Sequence, residues 1–217
     1  MKPQRLSLTS GFAPWALVSL CSGLCSVGLL AAAAAPQATK PKPAASAATV
    51  GAKPAEPDAA LGPQLVIETA KGTIVIQLFE KEAPKSVAQV RRLATQGFYR
   101  NQKIHRVVDG QLVQFGDKQS RDATLREWWG RGPNSGSGRP IGVAEISKTR
   151  KHKAGSVGMA HNGNPSGADS QIYITTRPMP NLDGKYTIIG EVTSGQPIVA
   201  KLQVGERLKE VTVKTGH

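Results

Sequence analysis

The rhythm of apolar positions changes along the chain. From Ala13 to Ala35 nearly every residue is apolar, with Ser, Gly and Cys as the only interruptions besides Pro14. From Pro36 to Pro63 the residues are mostly Ala, Pro, Thr and Lys, with almost nothing to bury, as in an extended linker. From Gln64 onward a period of two takes over. Leu65–Thr69 and Thr73–Phe79 read as strands joined through Ala70, Lys71 and Gly72, and Ile74, Ile76 and Leu78 share one face of the second. The period then lengthens. Pro84 suits a first helical position, Val87, Val90, Leu93 and Ala94 form a stripe, and Gly97 ends the segment.

Beyond that helix, Phe98 and Tyr99 are expected to pack beneath the next strand. Ile104–Val108 and a segment from Leu112 read as two strands around the Asp109-Gly110 turn signal. Lys118–Gly142 is irregular, reads as a long flexible surface loop, and holds the Trp128-Trp129 pair, which is either a local core or a contact surface. Further strands are expected at Val143–Ile146, Ser156–Met159, Gln171–Thr175, Tyr186–Glu191 and Leu208–Lys214. Asn181–Gly184 reads as a tight turn, and a second helix as running from Gly195 towards Gly205 with Ile198, Val199 and Leu202 on one side. Many short strands and two helices give a closed or sandwiched antiparallel sheet with helices over its open ends.

The apolar N-terminus follows Lys2 and Arg5, and Ala31–Ala35 supplies small residues for a peptidase, so residues 1–35 read as a secretory signal. The rival reading is an uncleaved anchor, since a helix over residues 13–35 would reach about 35 Å. Residues 36–63 form the linker, and 64–217 the one folded domain, long enough for a proper core. Both cysteines, Cys21 and Cys25, lie in the signal, so a cleaved chain has neither a disulfide framework nor a cysteine metal site. Residues 1–63 carry a net +3 of the chain's +13, so the domain carries +10. That balance allows weak polyanion binding. The densest basic run is only Arg150-Lys151-His152-Lys153, so the lysines and arginines are read mainly as facing water, and no specific nucleic-acid binding is expected.

Chemistry concentrates in Ile104–Asp117. Alternation puts Arg106 on one face with Ile104 and Val108, and His105 with Val107 on the other. Leu112 and Gln114 share a face of the following strand. A guanidinium and a side-chain amide set among apolar groups suit a grip on peptide backbone. His105, Arg106, Gln114, Gly116 and Asp117 stand as in the catalytic segment of the cyclophilins, the peptidyl-prolyl cis-trans isomerases, which reads roughly Phe-His-Arg-x-x-x-x-Phe-Met-x-Gln-Gly-Gly-Asp. Here Ile104 and Gln111 replace the two Phe, Leu112 the Met, and Phe115 the first Gly of the pair. Gly158–His161, Gly167–Ile174 and Asn181–Gly190 resemble three later blocks of the family in order and spacing.

The resemblance implies an eight-stranded antiparallel closed β-barrel capped by two α-helices, and isomerisation of X-Pro bonds without a cofactor or metal. It implies Arg106 as the catalytic residue, donating to the prolyl nitrogen and so weakening amide resonance. Gln114 would clamp the substrate backbone. Leu112, Tyr173, Leu182 and Ile172 would wall the proline ring, with Tyr186 where the family often has histidine. Gln111, Met159, Ala160, His161 and Gln171 complete the implied substrate-binding set, while His105 is read as structural. Asn181 replaces an indole, which implies weaker substrate binding and poor cyclosporin binding.

The expected role is to assist folding of exported proteins, in the periplasm or outside the cell, by a monomer acting on proline-containing segments. Anchoring through residues 13–35 would instead tether the domain outside the cytoplasm. A peptide-binding module with little turnover, and a basic scaffold that binds a polyanion through the Lys148–Lys153 loop and the linker, are the competing functions.

Overall fold

The computed structural model describes residues 62–132 and 134–215. The expected signal, residues 1–35, and the linker up to residue 61 lie outside the described residues. The described part is mainly β. Its strands are β1 (Gln64–Thr69), β2 (Gly72–Leu78), β3 (Arg106–Val108), β4 (Leu112–Phe115), β5 (Ser156–Met159), β6 (Ile172–Thr175), β7 (Ile188–Ser194) and β8 (Leu208–Lys214). Helix α1 (Pro84–Thr95) lies between β2 and β3, and α2 (Gln196–Val199) between β7 and β8.

All eight strands join one antiparallel sheet in the order β3-β4-β6-β5-β7-β2-β1-β8. The expected closed barrel does not form; the sheet curls into a half-barrel whose end strands, β3 and β8, do not pair. The reason lies in the chain entering β3. Asn101 takes a left-handed conformation (φ 61°), and β3 itself has only three residues. The segment ahead of β3 instead meets the start of β8, at a single Lys103–Arg207 bridge with flanking bonds such as Leu208 N–H to the Gln102 carbonyl and Ile104 N–H to the Glu206 carbonyl, both at 2.8 Å.

The core fills the concave side. Leu65 and Ile67 of β1 and Ile74, Ile76 and Leu78 of β2 are buried there, as alternation requires. The α1 stripe Val87, Val90, Leu93 and Ala94 is buried against them, with Tyr99 and Phe115 packed edge to face at 6.1 Å. Tyr99 satisfies its hydroxyl on the Ser170 carbonyl at 3.1 Å.

Two further expectations change. Val143–Ile146 is not a strand; its Glu145 carboxylate accepts from the backbone N–H groups of Lys85 (2.9 Å) and Ser86 (2.8 Å), which the first turn of α1 leaves unpaired. The second helix has only four residues, because after Val199 the chain tightens into three-residue turns at Lys201 and Leu202. Leu202 still reaches the core.

The Lys118–Gly142 segment is irregular as expected, yet pinned rather than free. It contains 3₁₀ turns at Lys118–Arg121 and Ala123–Trp128. Buried Asp117 accepts from Gln119 N–H at 2.8 Å and Gly130 N–H at 2.6 Å. Asp169 accepts from Gly138 N–H at 2.8 Å, the Ser137 hydroxyl and the Gln89 amide. The tryptophan pair divides between its two readings. Trp129 is 8% exposed, donates to the Asp122 carbonyl at 2.9 Å and faces Lys103 and Arg126; Trp128 is 58% exposed.

Candidate active site

Sheet register builds the site. Arg106 on β3 lies opposite Gln114 on β4, Gln114 opposite Tyr173 on β6, and Tyr173 opposite Gly158 on β5. These four residues form a row across four strands, on the face away from the core. Val108 opposite Leu112 starts a second row beside it. The residues between them in sequence, Val113 and Phe115, turn into the core.

Along this face runs a groove of about 750 Å³. Arg106, Gln111, Leu112, Gln114, Ala160, His161, Gln171, Tyr173, Leu182 and Tyr186 all line it, so the structure brings together ten of the residues expected at the site. Asn181, standing for the indole, lines it too. Two do not belong. Met159 and Ile172 pair with each other on the opposite face and are fully buried in the main core. Their parity explains it: each is one residue from a groove-facing neighbour, Gly158 and Tyr173.

The polar side of the groove is a chain of amides behind the guanidinium. Arg106 Nη1 donates to Gln114 Oε1 at 3.2 Å, Gln114 Nε2 to Gln171 Oε1 at 2.8 Å, and Gln171 Nε2 to the Gly130 carbonyl at 3.4 Å. Each amide fixes the orientation of the next, so Arg106 retains donors for a ligand while one is held. The apolar side is a satellite cluster of Leu112, Tyr173 and Met179, with Val108, Ala160, Leu182 and Tyr186 packed on it. Tyr186 crosses Tyr173 edge to face at 5.7 Å and stacks on His161 at 4.3 Å. His161 Nε2 meets the Lys185 carbonyl at 3.1 Å.

Ile104 and His105 depart from the strand alternation, because β3 begins only at Arg106. Ile104 sits in the core instead of beside Arg106. His105, expected to point away from Arg106, joins the groove wall and is 8% exposed. Its ring lies under Gly130, where a Cβ would come within 2.8 Å of His105 Cδ2. Neither ring nitrogen has a hydrogen-bond partner. Burial pushes its pKa down to about 4, with the Arg106 charge adding to the effect and Gln171 opposing it.

Residues that sequence reasoning did not place at the site come from loops. Trp129, Gly130 and Arg131 reach the groove through the Asp117 anchor, and Met179 through the turn before Leu182. His152 sits behind the far wall: its Nε2 is 2.8 Å from the Tyr173 hydroxyl and its Nδ1 2.8 Å from Asp183 Oδ1. It lay hidden in a run read as solvated. In that run Arg150 is also occupied, paired with Glu82 and stacked over Phe79 at 3.7 Å.

A curled half-barrel thus sets a guanidinium across an outer groove from an aromatic and aliphatic wall. The family model described as cyclophilin type peptidyl-prolyl cis-trans isomerase/CLD matches residues 64–216. A protein of Brucella suis named probable peptidyl-prolyl cis-trans isomerase is 34% identical over 150 residues, covering 69% of this chain and 76% of its own. One of Helicobacter pylori, named peptidyl-prolyl cis-trans isomerase, is 35% identical over 147 residues, covering 67% and 83%. Among solved structures, a Cryptosporidium parvum cyclophilin type peptidyl-prolyl cis-trans isomerase aligns with a TM-score of 0.61 at 22% identity, over 72% of this chain and 99% of that one, which speaks for the fold. The chain belongs to the cyclophilin-type peptidyl-prolyl cis-trans isomerase family.

Proposed function

We propose that the chain accelerates cis-trans isomerisation of X-Pro bonds, with Arg106 as the catalytic residue. The observation that carries this reading is the Arg106–Gln114–Tyr173 row, which sets a guanidinium and an amide across from an apolar wall. A proline ring packs on Leu112, Tyr173 and Leu182, and Gln114 takes the adjoining backbone. Rotation about the amide faces a barrier of about 20 kcal/mol, set by conjugation of the nitrogen lone pair. As the bond twists, that lone pair localises. A guanidinium donating to the nitrogen stabilises the twisted state more than either planar one, and each 1.4 kcal/mol of that difference is worth about tenfold in rate. Arginine suits the task because it stays charged and its planar fork holds a carbonyl while facing the ring. No covalent step is needed.

Proline-containing peptide is the ligand this groove fits. The Cryptosporidium parvum cyclophilin has also been crystallised in the presence of the dipeptide Ala-Pro, at a TM-score of 0.60 to this chain. The setting is an exported one: the signal-like segment 1–35 supports folding of exported proteins, and an intact mass of the native protein tests whether that segment is removed.

The decisive assay follows isomerisation of an Ala-Pro test peptide. Arg106→Ala lowers kcat by about 10²–10³. Activity that survives the substitution removes Arg106 from the chemistry. A wild-type protein that binds the peptide but does not turn it over is a binding module instead, the outcome that polar Gln111 and Asn181 at the rim would favour.

A further inference from the structure

The far wall of the groove contains a tyrosine where an apolar ring would suffice, and a buried phenol needs a partner. Tyr173 finds it in His152 Nε2 at 2.8 Å, with the two rings near parallel and 6.0 Å apart. His152 is itself buried. Its Nδ1 lies 2.8 Å from Asp183 Oδ1, and its backbone N–H donates to the same oxygen at 2.8 Å. The carboxylate accepts a hydrogen bond from Nδ1–H, which leaves Nε2 to accept from the phenol. These bonds hold the Asp183 carboxyl below its usual range, the backbone N–H of His152 contributing most.

Two further contacts tie the trio to the groove. The His152 carbonyl accepts from Met179 N–H at 2.9 Å, and Met179 packs in the same apolar cluster as Tyr173. Asp183 directly follows Leu182, another wall residue. One buried histidine thus bonds to three segments that supply the wall: β6, the turn at Met179, and the turn after Leu182. On the other side, Tyr173 can lie over β5 only because residue 158 is glycine; a Cβ there would stand 2.4 Å from Tyr173 Cζ. The ring is held from behind by His152 and given room beneath by Gly158.

We propose that His152, oriented by Asp183, is a positioning residue for proline recognition: through its bond to the phenol it sets the placement of the Tyr173 ring in the groove wall. The proposal rests on the isomerase reading of the groove. It differs from an ordinary core role in its route, which runs through the Tyr173 hydroxyl to substrate.

The test is a double-mutant cycle with kcat and KM measured on the Ala-Pro peptide. His152→Leu and Tyr173→Phe each raise KM by about tenfold, with kcat changed less than about twofold, because ring placement governs binding and Arg106 is untouched. In the Tyr173→Phe background, His152→Leu raises KM no further, since the bond it removes is already gone. Asp183→Leu behaves like His152→Leu, whereas Asp183→Asn, which keeps an oxygen for the two N–H donors, recovers most of the loss. An unchanged KM in folded His152→Leu, or equal effects of His152→Leu with and without the tyrosine hydroxyl, overturns the proposal. Tyr173→Phe alone, which keeps the ring and changes one atom, decides the matter if the histidine variants do not fold: an unchanged KM there overturns it equally. If the wild type shows no turnover, the isomerase reading fails by itself, and the same cycle read as peptide Kd still tests the positioning.

Discussion

His105 makes acid stability the most quantitative test of this structure. The imidazole is buried in the groove wall under Gly130, with no partner for either nitrogen and the Arg106 charge next to it. Its pKa falls from 6.5 to about 4, chiefly through burial. In the unfolded chain the ring takes its proton near 6.5, so acid favours unfolding. Because the folded pKa is depressed, the contribution is intact above 6.5 and is lost as the pH falls towards 4. At about 1.4 kcal/mol per pH unit, the loss from about pH 7.5 to about pH 5 comes to roughly 2 kcal/mol, reaching about 3 at the lower end. His105→Leu removes it. Asp117, whose carboxyl burial pushes above its usual range, works in the opposite sense in acid, so the measurement is the difference between the two proteins. Urea unfolding followed by tryptophan fluorescence at the two pH values reads it directly. The wild type should lose about 2 kcal/mol more than His105→Leu over the interval. Equal losses in the two proteins would refute a buried, neutral His105.

Other outcomes follow from the same contacts. Asp117→Ala strands the N–H groups of Gln119 and Gly130 and should cost about 2–4 kcal/mol in urea unfolding, with faster proteolysis of the 118–142 loop. Glu145→Ala leaves the Lys85 and Ser86 N–H groups of α1 uncapped and should cost about 1–2 kcal/mol by the same measurement. Arg106 and Arg131 both line the groove, while its Asp169 is engaged by the loop. A Glu-Pro test peptide should therefore show a KM several-fold below that of a Lys-Pro peptide, a gap that narrows as salt is added.

The alternating strands, the α1 stripe and the placing of Arg106 with Gln114 are legible along the chain, because period and parity are local properties. Ile74, Ile76 and Leu78, and Val87, Val90, Leu93 and Ala94, are buried as that periodicity requires. Where regular structure ended, so did the reading. Alternation extended back to Ile104 and His105 misplaces both, since the strand begins only at Arg106, and likeness to family blocks puts Met159 and Ile172 in a groove from which their parity turns them to the core. Closure of the sheet was decided by the irregular chain at Asn101 and the shortness of β3, neither of which shows in a hydrophobic pattern.

Long-range polar contacts come only with the fold. Glu145 caps a helix that begins sixty-one residues earlier in the chain. Asp117 brings Trp129 and Gly130 to the groove, and Asp183 and Tyr173 draw His152 out of a run that reads as solvated. Such bonds form between residues far apart in sequence, and a carboxylate or imidazole carries no local sign of the partner that folding will bring to it.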